Sequence, residues 1–288
     1  MQYYIGCSGW SYSAWKGPFY PPNLESSDWL RYYSQIFDYV EVDSSFYRIP
    51  NEFIVKNWFR KTPDNFRFTA KFPKMITHDK HLVDVEGYVE RFLNNIEPLH
   101  EKTLALIIQL PPSMEIMPGL EGLRNLIPPL LDNRFRYAIE VRHQSWFQDL
   151  AYNFFTNNNL CMVWSQLAGI RTPPIVTTDF LYVRFIGDKS IDEKEFGKIQ
   201  KARVLEMRKW AKRIKRAEEE NRQLNLAIVA ANNHYAGFRP GTVNMFNKMV
   251  GLPGKSLKYE MPPQQEQEQK QYEIKGNSDS PTNLCEKA

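Results

Sequence analysis

Short apolar runs separated by helix-period segments organise most of the chain. In YVEVD (39–43) and YAIEVR (137–142) apolar and charged positions alternate with period two. Glu41 and Asp43 therefore share one strand face, and Glu140 and Arg142 another, each opposite a Val or Ile face. Six further runs read as strands: 3–7, 66–71, 104–110, 160–164, 180–185 and 226–231. Helical patterns lie between most of them. Ser27 is the expected N-cap of DWLRYYSQIF and Asn51 that of EFIVKNWFRK, while Tyr88, Phe92, Ile96 and Leu99 recur at helical steps within 85–100. Further helices are expected over 120–131, 146–157, 193–223 and 242–249. The link QLAGIRTPPIVTTD, with two prolines and a glycine, forbids a long helix.

Eight strands with intervening helices predict an α/β chain folded as a single (β/α)8 TIM-type barrel, with the helix after strand 6 missing. In such a barrel one face of each strand meets helices and the other meets the lumen. The aliphatic faces suit the helices, so the charges are expected to point inward.

Composition bounds this reading. An apolar fraction of 42% supports a sizeable core, and a formal charge of +4 is too small to announce nucleic-acid binding by itself. Cys7, Cys161 and Cys285 are odd in number and form no CxxC pair, as expected in a reducing compartment. The N-terminus shows no basic stretch followed by an apolar one, and no run approaches the roughly 20 apolar residues of a membrane span. A cytoplasmic location, with no membrane partner, is the expectation. Residues 1–258 are assigned to the barrel, and 259–288, glutamine-rich and polar, to a disordered tail.

Strand ends of a barrel carry its chemistry. Glu41 and Glu140 are candidate general acid and base, provided their surroundings separate their pKa values. Lys71 among these acids should stay protonated and suit an anion. A Schiff-base role would need a desolvated amine and is the lesser reading. Arg142 and Arg184 offer forked donors for a carboxylate or phosphate. Candidate ligand-binding residues around them are Ser8, Trp10, Tyr12, Asp43, Ser44, Tyr47, His78, Gln109, His143, Trp146, Asn232 and Asn233. The alternative is a structural plug, since Glu41, Asp43 and Glu140 balance Lys71, Arg142 and Arg184 charge for charge.

His78 and His81 flank Asp79, but no further metal ligand falls at a familiar spacing, so no metal site is assigned and a divalent cation stays open. Absence of GxGxxG and GxxxxGK[ST] argues against the usual dinucleotide and P-loop cofactors, and the cofactor is left unknown. Basic residues from Lys198 to Arg216 read as a solvated helix face, with nucleic-acid contact as the alternative. A small anionic metabolite is the expected partner, with hydrolysis, isomerisation or elimination as the candidate reactions. Oligomeric state is left open.

Six ordered motifs carry a further signal: GCSGWSYSAWKGPFYP, FDYVEVDSSFYRIP, FRFTAKFPKMITH, IIQLPPS, YAIEVRHQSWF and FLYVRFIG. Together they resemble the YecE-like family, a domain of unknown function. The resemblance implies a TIM-type barrel and leaves the reaction undefined. It also marks two departures, Ile186 where the family usually has His, and His234 where it usually has an acid. A catalytic role for that His would leave this chain able to bind without turnover.

Overall fold

The computed structural model describes residues 1–130, 135–167, 169–188, 190–255 and 257. The assigned tail, with Cys285, lies outside them. Ten strands form one curled sheet: β1 Gln2–Ser8, β2 Tyr39–Val42, β3 Arg67–Lys71, β4 Thr103–Gln109, β5 Tyr137–Glu140, β6 Leu160–Met162, β7 Trp164–Leu167, β8 Ile170–Arg171, β9 Phe180–Gly187 and β10 Leu226–Ala231. Their order is β6-β5-β4-β3-β2-β1-β10-β9-β7-β8, parallel except for the β7–β8 hairpin. β6 pairs with β5 and β7 with β9, yet only Val163 separates them in the chain. The Val163 amide donates to the Ile139 carbonyl at 2.9 Å.

Each expected strand is present within two residues of its expected bounds. The exceptions are the break at Val163 and the unexpected hairpin. Between β8 and β9 the described residues hold no helix, as Pro173 and Pro174 dictate.

The helices are α1 Trp29–Ile36, α2 Glu52–Lys61, α3 Glu86–Ile96, α4 Ile116–Leu130, α5 Asp149–Asn157, α6 Val204–Glu220, α7 Asn233–Ala236 and α8 Arg239–Met249. Asn51 caps α2 as expected, its Oδ1 accepting from the Ile54 amide at 2.9 Å. Ser27 does not cap α1; a single helical turn, Ser26–Asp28, leads into it. The long charged helix expected over 193–223 is broken, because Gly197 and Arg203 take left-handed φ values of 115° and 45°. Only Val204–Glu220 propagates, burying Val204, Met207, Trp210, Ile214 and Ala217. None of the described helices is long and apolar enough to cross a membrane.

Side-chain alternation sorts the sheet into two layers. Val40, Val42, Phe68, Ala70, Leu106, Ile108, Ile139, Leu181, Val183, Ala227 and Val229 belong to the core shared with the helices. Tyr39, Ala105, Ile107, Ala138, Cys161, Val163, Tyr182, Ile228 and Ala230 form a separate cluster on the concave face. Glu41, Lys71, Glu140 and Arg184 share strand parity with this second set, so the charges do point inward.

Candidate functional site

At the C-terminal ends of the strands the inner cluster gives way to polar groups. Register places Ser8 beside Glu41, Gln109 beside Glu140, and Ser165 and Ala230 beside Arg184. Arg184 reaches across the concave face. Its Nε and Nη2 donate to Glu41 Oε2 and Oε1 at 3.0 and 2.7 Å, and its Nη1 donates to Glu140. Arg142 closes the other side, donating from Nε and Nη2 to Glu140 Oε1 at 3.2 and 3.1 Å and from Nη2 to Gln109 at 2.9 Å. Glu41 accepts two more bonds, from the Ser8 hydroxyl and from Tyr182 at 2.6 Å. Beneath it Tyr39, Thr69 and Tyr182 close a triangle of hydroxyls with sides of 2.7 to 2.8 Å.

Electrostatics follow from this wiring. Burial raises the pKa of Glu41, but the charges of Arg184 and Lys71 and the bonds from Arg184 and Ser8 outweigh it, holding the carboxyl at about 2. Glu140 is opposed by burial in the same way and lowered by Arg142, Arg184 and Lys71. Both are carboxylates, so the separation of pKa values required of an acid/base pair is not met.

Lys71 behaves differently. It is 9% exposed, and among the described residues its ammonium has no hydrogen bond and no ion pair, only the Phe46 ring at 5.5 Å. Burial and Arg184 lower it, against the carboxylates of Glu41, Glu140 and Asp43, to about 8. Its titration is thus shifted towards neutrality, although most of the molecules still carry the charge at pH 7.

Other expected ligand residues divide. Tyr12, Asp43, Asn232 and Asn233 gather at the rim with Arg239, a residue the sequence patterns did not single out. Tyr12 lies over its guanidinium at 4.2 Å and donates to Asp43 Oδ2 at 3.2 Å. Trp10 packs edge-on against Trp58 at 5.7 Å. His78 faces Thr77 and the edge of Phe46, and burial followed by Arg142 lowers its pKa.

Four expected residues are held by local structure or stand apart from the polar floor. Trp146 is a core side chain, fully buried, donating to the Met114 carbonyl at 2.9 Å and stacked on Phe155. His143 caps the turn that follows it, its Nδ1 accepting from the Ser145 amide at 3.3 Å. Tyr47 is 74% exposed and reaches the site only through Phe46, whose ring it meets edge-on at 5.3 Å. Ser44 is exposed as well; its neighbour Ser45 is the buried one, donating to the Lys71 carbonyl at 2.8 Å. His234, in place of an acid, pairs instead with Glu193 at 2.8 Å. Among the described residues no three His, Cys, Asp or Glu side chains converge as metal ligands.

At the opposite ends of the strands a groove of about 650 Å³ runs between α6 and α8, lined by Tyr3, Arg208, Lys212, Lys215, Glu218 and Lys248 among others. Of the basic residues expected on a solvated helix face, Arg208, Lys212 and Lys215 therefore lie at the far end from the polar cluster, whereas Arg203 pairs with Asp188 and the Tyr235 carbonyl near the strand ends.

A family model described as "Protein of unknown function DUF72" matches residues 4–269. The chain belongs to this family. Among DUF72 relatives, the UPF0759 protein YecE of Escherichia coli (strain K12) is 31% identical over 146 residues, 50% of each chain. The UPF0759 protein YunF of Bacillus subtilis (strain 168) is 30% identical over 156 residues, 52% of this chain and 54% of that one. The chain thus spans about half the length of the curated relatives it matches. A DUF72 crystal structure from Thermotoga maritima MSB8 superposes with a TM-score of 0.74 at 29% identity, covering 87% of this chain and 99% of that one. One from Enterococcus faecalis V583, at 20% identity and a TM-score of 0.73, covers 91% and 100% and shares the fold.

Proposed function

We propose that this DUF72 chain binds a small anionic metabolite at the C-terminal mouth of a barrel and that Lys71 exchanges a proton with it. In this reading β6 and β7 occupy one barrel position and the hairpin strand β8 stands outside the count, giving eight, with the helix after the sixth missing. Glu41, Arg184 and Glu140 form a rigid floor rather than an acid/base pair. One observation carries the reading: the ammonium of Lys71, a residue only 9% exposed, keeps contact with solvent and has no hydrogen-bond acceptor among the described residues, while every carboxylate oxygen of the floor is already bound to Arg184, Arg142, Ser8 or Tyr182. Buried charges left unpartnered are costly, and such groups gather at functional sites. Arg142, whose side chain is 20% exposed, is the floor guanidinium that an entering anion meets.

Thermal unfolding of the full chain against a panel of small phosphates and carboxylates, followed by native mass spectrometry, tests this. At least one compound is expected to stabilise the wild type and be retained by it, and to be released by Arg142→Met. A panel without effect, or an equal effect on both proteins, sinks the proposal.

A further inference from the structure

Five buried side-chain atoms lack a hydrogen-bond partner among the described residues: Trp15 Nε1, Asn233 Nδ2, Tyr235 Oη, and Nε and Nη1 of Arg239. Those of Asn233 and Arg239 lie together, since Asn233 Oδ1 accepts from the Arg239 amide at 3.2 Å, and the Trp15 ring is beside them, 5.0 Å from Tyr12 and 6.3 Å from Phe238. The Tyr235 hydroxyl is set apart, beside Glu206, Arg203 and Arg171. Every one of the five carries a proton to donate. A cluster of buried donors with no acceptor is what an anion relieves.

Arg239 is its centre. Its residue is 3% exposed, and only Nη2 finds an acceptor, Asn232 Oδ1 at a long 3.4 Å. Nη1 stands 3.8 Å from Asp43 Oδ2, an ion pair too long for a hydrogen bond. Gly9 keeps a side chain out of the space beside them, which is closed as it stands and needs Tyr12 to move before an anion enters. At φ +89°, a Cβ there would come within 3.0 Å of Nη1 and 2.9 Å of Asp43 Oδ1. Arg239 is also the first residue of the eleven-residue α8, so the positive end of that helix adds to its field.

We infer that Arg239, Asn232, Asn233 and Asp43 form a subsite for a phosphate-type oxyanion that retains one proton. The guanidinium donates to two oxygens, and the remaining P–OH donates to Asp43, which would repel a fully ionised group. Tyr12 covers the site; its neighbours Ser11, Ser13 and Ala14 are exposed, so the ring has somewhere to swing. This rests on the mouth being a ligand site and names the end of the ligand that it grips.

Calorimetric titration of the full chain with inorganic phosphate at pH 7, at ionic strength fixed with chloride, decides it. The wild type should show one saturable site. Arg239→Lys, which keeps the charge and loses the fork, should weaken it at least tenfold. Asn232→Asp retains the acceptor that caps α7 and should fold, yet its charge should also weaken phosphate at least tenfold. Lys212→Ala, in the distant basic groove, should change nothing, and sulfate, without a proton to donate, should bind at least tenfold more weakly. No saturable heat, sulfate binding as tightly as phosphate, or full affinity in Asn232→Asp would overturn the inference. Arg142→Met keeps the two readings apart: it should release the panel compound yet leave the heat of inorganic phosphate at Arg239 unchanged, and Arg239→Lys should do the reverse for inorganic phosphate.

Discussion

Two arginines of one mouth meet opposite fates. Arg184 spends its guanidinium on two carboxylates and the Gln109 amide oxygen, whereas Arg239 leaves two donor nitrogens unused and its nearest carboxylate 3.8 Å away. Both are almost wholly buried, at 2% and 3% exposure, so depth does not separate them. Partners do. Arg184 lies within a strand whose neighbours are fixed by register, and its guanidinium reaches both Glu41 and Glu140. Arg239 opens a helix after a loop and meets Asp43, Tyr12 and Asn232 only at the rim. The first is tied into the sheet, and the second carries the donors on which the proposed subsite rests.

Removing each cation is the harshest way to break that contrast. Arg184→Met strands Glu41 and Glu140 as unpaired buried carboxylates, which costs about 3–5 kcal/mol in comparable cases. Arg239→Met discards donors that are already unsatisfied and should stay within about 1 kcal/mol of the wild type. Urea unfolding at pH 7 measures both. Similar losses in the two variants would mean that Arg239 is as structural as Arg184.

Acid sharpens the same contrast on the Arg184 side. Glu41 falls from an ordinary 4.5 to about 2, with burial opposing and Arg184 and Lys71 prevailing. Its folded value lies below the unfolded one, so the stabilisation is complete above about pH 4.5 and is lost as pH falls towards 2. By linkage this amounts to roughly 3 kcal/mol. The urea midpoint of the wild type should therefore drop between pH 5 and 2, and Glu41→Gln should flatten that limb. Parallel acid limbs would show that the Glu41–Arg184 contact carries little.

How much of this was readable in the residues depends on periodicity. YVEVD, YAIEVR and FLYVRF declare strand parity, and parity alone put Glu41, Glu140 and Arg184 on one inner surface. Tyr182 is equally legible in position, two residues before Arg184 on the same face, but a tyrosine in an apolar run reads as packing. Asp43 and Arg142 sit beyond their strands, where parity stops; Arg142 folds back to Glu140 and Asp43 leaves for the rim. The loops carried no such rule. Trp146 and Trp10 look alike in sequence, yet the absence of a side chain at Gly119 makes room for the Trp146 ring in the core. Arg239 had no pattern to announce it, since its place depends on α7 and on the left-handed Gly237 at φ 102°.

The smallest effect on stability, and the sharpest on chemistry, belongs to Lys71. It stands between the two arginines in character: buried like Arg184, without a fixed partner like Arg239. Burial and Arg184 lower its pKa from 10.5 to about 8, so roughly a tenth of the molecules carry a neutral amine at pH 7. Reductive methylation with a carbon-13 label, followed by NMR titration, reads each lysine separately. Surface lysines should titrate near their usual value of about 10.4, and Lys71 near 8. Glu140 helps to keep the ammonium charged, so Glu140→Gln should move the Lys71 midpoint further down. A midpoint among those of the surface lysines would make Lys71 one more static cation, and the floor beside it a plug with no proton to trade.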